Sequence, residues 1–166
     1  GLISPILANV YLHYVLDLWF EKCIKKQLYG EAYLVRFADD FLIMFQYERD
    51  AQRVYEAIIK RMELFGLELS KEKTRILPFG RYSVSRETFD FLGFTHFNSK
   101  TRKGYYTVGH KISRKKKKQF KSNLKKWVKK NRDKQFDEFM KALNKKLTGS
   151  FNYYSLSGMI KEVRNL

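Results

Sequence analysis

A single cysteine, Cys23, leaves no disulfide framework to form within the chain, which suits a reducing intracellular compartment. The three histidines, His13, His96 and His110, are scattered, and no Cys-x-x-Cys is present, so the usual ligand spacing of a structural zinc site is missing. No apolar run approaches the length of a membrane span, and no signal peptide opens the sequence. Internal repeats are lacking too, and the low-complexity run Lys115 to Lys118 is short. What remains is ordinary globular material: 166 residues, 44% hydrophobic, enough for one medium domain or one domain plus a small module with a real core.

Acidic residues are scarce in the last part of the chain. Residues 1–98 hold 13 of the 34 basic and 13 of the 17 acidic residues and are neutral; residues 99–166 hold the other 21 and 4, and with them the whole net charge of +17. Such asymmetry points to a neutral globular unit, 1–98, followed by a basic module, 99–166, that meets a polyanion. A solvated lysine-rich surface accommodates a few excess charges, but this density repels itself without a partner. Nucleic acid fits better than an anionic membrane surface.

Ser4-Pro5 reads as a helix start, with Ser4 as N-cap. Ile6, Leu7, Val10, Tyr14 and Leu18 fall at helical spacing, and the helix is expected to run to about Lys26, before Gly30. Ala32 to Phe37 and Phe41 to Gln46 read as the strands of a hairpin with Asp39 and Asp40 at its tip. Arg49 to Phe65 carries the clearest apolar stripe, Ala51, Val54, Tyr55, Ile58, Ile59, Met62 and Phe65, and Gly66 is a natural C-terminal cap. Leu67 to Leu69 and Arg75 to Phe79 look like short strands around a polar segment. Thr88 to Phe97 reads as a strand or hairpin, and Tyr105 to Val108 as its partner. Three amphipathic helices follow, marked by Phe120, Leu124, Trp127 and Val128, then Phe136, Phe139, Met140, Leu143 and Leu147, then Leu156, Met159, Ile160 and Val163. They can pack as a small bundle. The fold class is therefore α+β. The order helix, strand, strand, helix, strand is the split βαβ ferredoxin-like pattern without its opening strand.

Within VRFADDFLIMF, residues 35–45, two adjacent carboxylates interrupt the most apolar segment of the chain. Neighbours on a regular strand point to opposite faces, so Asp39 and Asp40 can serve one site only where the backbone turns. A pair of hard oxygen ligands on an apolar hairpin suits Mg²⁺, which takes one or two protein carboxylates and completes its shell with water and substrate phosphate. That is the equipment of two-metal phosphoryl transfer. A bare Asp-Asp turn can also be merely solvated, since aspartate is a common turn residue. The apolar strands on either side and the basic module downstream favour the metal site.

FADD followed by an apolar strand resembles the [YF]xDD motif of reverse transcriptases. GLISPILANVYLHYVLD resembles the segment after the Gln-Gly of group II intron reverse transcriptase/maturases, and GLELSKEKT, FDFLGF and LTGSFNYY look like later landmarks of that family in the same order. The likeness covers nearly the whole chain. It implies an incomplete ferredoxin-like polymerase palm over residues 1–98, then a basic three-helix thumb bundle, known as domain X, over residues 99–166.

The resemblance also implies roles. Asp39 and Asp40 match the paired metal-site aspartates, with Asp39 the more direct ligand. Phe37 stands where many members have tyrosine and, with Ala38, would lie near the primer end or incoming nucleotide. Gly1, Ser4 and Pro5 belong to the tail of a motif that lies against nucleotide and template. Lys73 matches a lysine proposed to protonate leaving pyrophosphate; its position equally suits an exposed lysine like Lys71. Phe91, Leu92 and Gly93 match the primer grip, where glycine admits close backbone approach, though a core strand with a bulge reads the same way. Arg114, Lys115, Lys116, Lys117, Lys118, Lys121 and Lys125 would contact nucleic-acid backbone, and Tyr153 or Tyr154 would stack on bases or pack in the bundle.

Partners implied are group II intron RNA, an RNA/DNA template–primer and dNTPs, with no membrane; the location implied is cytoplasmic, nucleoid-associated on target DNA. A third palm aspartate and the fingers are expected upstream of Gly1, so the two-metal Mg²⁺ site is expected to be short of one carboxylate and the chain alone inactive as a polymerase. A non-catalytic RNA-binding maturase module is the alternative. Lys103 to Tyr106 faintly resembles an RNP1 motif, but the following residues do not continue it. No GGDEF-like cyclase signature and no Cys/His cluster of an HNH endonuclease is present.

Overall fold

The computed structural model describes residues 3–154, and the third thumb helix expected around Leu156 to Val163 lies outside them. The chain divides into two units, Gly1–Phe79 and Gly80–Leu166. Both are α+β, and each has its own small antiparallel sheet. The composition boundary at residue 98 falls inside a strand of the second unit.

In the first unit, α1 (Ile3–Leu12) continues through π-helical turns at His13–Asp17 and Phe20–Ile24 and a 3₁₀ turn at Lys25–Gln27. Ile3 is already helical, so Ser4 lies inside the helix and does not cap it. The chain leaves the helix at Leu28, in extended conformation, as Gly30 indicated. The apolar spacing at Ile6, Leu7, Val10 and Tyr14 does not mark the core face, since all four are exposed. Val15, Leu16 and Phe20 are buried instead. Each π turn takes up an extra residue, so the face presented after Leu12 no longer follows the α-helical period. Arg61 from the next helix donates Nε–H to the Val15 carbonyl at 3.1 Å and lies over the Phe65 ring, 4.3 Å from its centroid.

Strands β1 (Ala32–Phe37) and β2 (Asp40–Phe45) form a hairpin paired from Ala32–Phe45 to Phe37–Asp40, leaving Ala38 and Asp39 as a two-residue loop. Ala32, Leu34, Phe41, Ile43 and Phe45 join the core, while Tyr33, Val35, Phe37 and Met44 are exposed on the other face. Helix α2 (Glu48–Leu64) buries Ala51, Val54, Ile58 and Met62. It ends as Gly66 indicated: Gly66 has φ 66°, its N–H donates to the Glu63 carbonyl at 3.0 Å, and the Leu67 N–H donates to Met62 at 2.8 Å. These two bonds make a Schellman motif. Neither Leu67 to Leu69 nor Arg75 to Phe79 forms a strand. Leu67 and Leu69 pack on the core with their side chains, and no described strand offers their backbone a ladder. The sheet of this unit therefore has two strands, without the fifth element of the expected pattern.

In the second unit, β3 (Phe89–Phe91), β4 (Phe94–Lys100) and β5 (Tyr106–Ile112) form a meander. Gly109 faces Phe97 across the β4–β5 pair, and a Cβ there would come within 2.5 Å of the ring. Ser113 ends the sheet and caps α3 (Arg114–Asn131), its Oγ accepting the Lys116 N–H at 3.4 Å. On α3, Phe120, Leu124 and Trp127 are half-buried, and Trp127 meets Phe139 of α4 (Phe136–Tyr154) at 5.5 Å between ring centroids. Phe139, Met140, Leu143 and Leu147 form the half-buried stripe of α4, whereas Phe136 is exposed. Tyr154 packs edge-on to the buried Phe94 at 5.9 Å, and Tyr153 is exposed.

Candidate functional site

The hairpin tip is built by strand alternation. Because Asp40 opposes Phe37, it projects on the same sheet face as Phe37, Val35 and Leu42, away from the core. Asp39 stands beside it in the turn. Both carboxylates are exposed, and neither has a hydrogen bond or ion pair among the described residues. Ala38 carries φ 53° and Asp39 does not share the positive sign. Positive φ at the first loop position alone is the place where II′ hairpins put glycine. For alanine that conformation costs about 1–2 kcal/mol. The two aspartates are thus presented by a tight, strained turn.

An interaction that sequence reading missed supports this turn. By alternation Arg36 falls on the core face of β1, and there its guanidinium meets Asp17 with Nε to Oδ1 at 2.7 Å and Nη2 to Oδ2 at 2.6 Å. Its Nη1 donates to Asn9 Oδ1 and to the Ala38 carbonyl, both at 2.9 Å. His13 Nδ1 lies 3.2 Å from the same Asp17 carboxylate. Arg36 holds Asp17 below the usual carboxylate range, and Asp17 in turn raises Arg36. The legible signal was Arg36 itself, a charge at the inward position of an alternating strand, which requires a partner on the facing helix.

Two exposed carboxylates with no ion pair among the described residues are the hard oxygen donors that a hydrated Mg²⁺ takes. No group of three or more His, Cys, Asp or Glu side chains suited to a metal occurs among the described residues. Ser4 and Pro5 are exposed in the first turn of α1, and Gly1 lies outside the described residues. Lys73 is exposed in a turn held by its own N–H and that of Thr74, both donating to the Ser70 carbonyl at 3.1 and 2.9 Å; it makes no ion pair with either aspartate.

The second unit brings together two groups of residues that sequence treated separately. The Leu92–Gly93 turn closes β3–β4 with φ 51° and 86°, both left-handed as in a I′ hairpin. Ser113 N–H donates to the Gly93 carbonyl at 3.0 Å, and a Cβ on Gly93 would meet the Lys116 side chain at 3.4 Å. The exposed glycine-bearing turn and the first turn of α3 are therefore adjacent. Helix α3 has no acidic residue: Arg114, Lys115 to Lys118, Lys121, Lys125, Lys126, Lys129 and Lys130 are its charges. Lys115, Lys118, Lys125 and Lys129 fall on the side opposite Phe120, Leu124 and Trp127. An open groove of about 450 Å³ between α3 and α4 adds Lys145, Lys146, Tyr153 and Tyr154 to Lys116.

Residues 1–96 match the family described as reverse transcriptase (RNA-dependent DNA polymerase). Residues 117–166 match the group II intron, maturase-specific domain. The chain belongs to the group II intron reverse transcriptase/maturase family. Its hairpin lies within the reverse-transcriptase match, and all but the first turn of α3 lies within the maturase-specific match. No curated protein matches the chain. No helix among the described residues is long and apolar enough to cross a membrane.

Proposed function

We propose that the chain is the palm and thumb portion of an RNA-directed DNA polymerase, acting on a template–primer and on group II intron RNA. The observation that carries this reading is the pair of exposed carboxylates at a tight hairpin tip, with no side-chain partner among the described residues, in a chain whose later helix is a one-signed cationic surface. Asp39 and Asp40 are the metal ligands of the palm, spanning 1–98, and α3 belongs to the thumb, or domain X, spanning 99–166. Bound Mg²⁺ would supply charge neutralisation at phosphate and lower the pKa of an attacking hydroxyl. The residues of the chain orient the reactants. Phe37, Ala38, Gly1, Ser4 and Pro5 line the nucleotide and template side, and Phe37 gives the primer end an apolar face. Lys73 neutralises departing pyrophosphate. Phe91, Leu92 and Gly93 grip the primer, with Gly93 admitting the backbone. Arg114, Lys115 to Lys118, Lys121 and Lys125 hold phosphates without reading sequence.

We further propose that Asp39 and Asp40 alone do not hold a two-metal site, so that the 166-residue chain by itself does not polymerise. Primer extension with Mg²⁺ tests this: template-dependent synthesis abolished by Asp39→Ala would refute it. The alternative, a non-catalytic maturase module, draws on the match to the maturase-specific domain and the cationic α3. Mn²⁺ binding left unchanged by Asp39→Ala/Asp40→Ala, with intron splicing promoted equally by the chain and by that variant, would favour that alternative.

A further inference from the structure

We propose that Arg36 is a positioning residue: it clamps the Ala38 carbonyl to helix α1 and thereby holds the strained turn that presents Asp39 and Asp40. The inference rests on the metal-ligand reading of those two aspartates.

Four donor–acceptor contacts converge on one guanidinium. Two go to Asp17 at 2.7 and 2.6 Å, one to Asn9 at 2.9 Å and one to Ala38 at 2.9 Å. The bidentate pair with Asp17 fixes the plane of the guanidinium, because both carboxylate oxygens and two of its nitrogens are engaged. With that plane fixed, Nη1 has little freedom, and its bond to Ala38 holds the peptide that enters Asp39. The pair is partly shielded, with side-chain exposure of 13% for Arg36 and 25% for Asp17, so water screens it less than a surface ion pair.

The turn needs such support. Alanine at φ 53° gains nothing from its own conformational preference, unlike glycine, which enters this region freely. Strained backbone of this kind persists where surrounding structure over-determines it. Here the surrounding contacts include a strand register on one side and the Arg36 bond on the other. Removing Arg36 leaves the register but releases the Ala38 peptide, and the two carboxylates lose their fixed orientation. Supporting groups of this type typically change metal affinity by about tenfold or more.

The test uses the 166-residue chain, with Ala38 ¹³Cα and ¹³Cβ chemical shifts as the readout of the left-handed turn and Mn²⁺ EPR as the readout of the metal site. In Arg36→Gln, the left-handed signature at Ala38 is expected to be lost and Mn²⁺ affinity to fall about tenfold. Adding Ala38→Gly to Arg36→Gln should recover most of that affinity, because glycine adopts the turn without support; a residue needed only for general folding would not be rescued this way. Arg36→Lys, which keeps the charge but not the fork, should behave like Arg36→Gln, and serves if the glutamine variant fails to fold by circular dichroism. An unchanged Ala38 signature together with unchanged Mn²⁺ affinity in a folded Arg36 variant overturns the proposal, as does a glycine that rescues nothing. The underlying metal reading fails separately, if Asp39→Asn/Asp40→Asn leaves Mn²⁺ binding of the wild-type chain intact; the Ala38 shifts still decide whether Arg36 sets the turn.

Discussion

Replacing Lys115, Lys118, Lys125 and Lys129 together by glutamine is the sharpest perturbation of the proposed nucleic-acid surface. The four lysines lie on the side of α3 away from Phe120, Leu124 and Trp127 and span about 21 Å at 1.5 Å rise per residue. Successive members of this stripe are within about one Debye length at 0.1 M salt, so they repel one another unless phosphates lie between them. Glutamine has nearly the helix propensity of lysine, and none of the four is buried, so the fold should survive. Each lysine that neutralises a phosphate releases about 0.7–0.9 counterion, so four lower the slope of log K against log salt by about 3. Extrapolated from 1 M to 0.1 M salt, that slope is worth about three orders of magnitude in affinity, or about 4 kcal/mol. Fluorescence anisotropy with a structured RNA or an RNA/DNA duplex, titrated at several salt concentrations, measures both quantities. A control with glutamine at four exposed lysines of the first unit, Lys22, Lys26, Lys60 and Lys71, should leave the slope near wild type. If the α3 variant keeps its slope within about one unit of wild type, phosphate contact by this face is refuted.

Three further outcomes follow from the geometry. Asp50 is 1% exposed and its Oδ2 accepts the Tyr29 and Gly30 N–H groups at 3.0 and 3.1 Å, so Asp50→Ala should cost the first unit about 2 kcal/mol in a urea melt; no change would mean that water replaces both bonds. Gly109→Ala should destabilise the second unit by about 1–3 kcal/mol, because the new methyl collides with Phe97, and Phe97→Leu in the same chain should relieve part of that cost. His96 has its pKa lowered below 6.5, first by burial and then by the neighbouring His110, so the folded state binds its proton less readily than the unfolded chain. Its contribution to stability is therefore complete above pH 6.5 and is lost as pH falls through the lower folded value, and His96→Gln should flatten that part of the denaturation profile.

Much of this architecture was legible locally. Strand β1 and helix α2 with its glycine terminus follow from period and turn chemistry that a short window contains; the hairpin was legible with its loop one residue late, at Asp39-Asp40 instead of Ala38-Asp39, and Leu92-Gly93 is a turn where a core strand with a bulge was the local reading. The asymmetry of charge located the cationic helix without any structure. What failed locally failed for tertiary reasons. The first helix was legible, but its buried face was not, because π-helical turns shift the phase of Val15, Leu16 and Phe20. The apolar runs after Gly66 read as strands, yet an extended segment becomes a strand only when another backbone pairs with it.

Residue identity alone carries the chemical inventory: two adjacent carboxylates between apolar strands, a neutral first part and a strongly basic second part. These depend only on residue identity and spacing. Packing was needed to show that the Asp39 and Asp40 carboxylates have no side-chain partner among the described residues, that Ala38 is left-handed with its carbonyl bonded to Arg36, and that Gly93 lies against Lys116. Each of these joins groups on different elements, or sets a backbone angle against its local preference. Long-range contacts such as Arg36 to Asp17, nineteen residues apart, are fixed by packing and not by the residues between them.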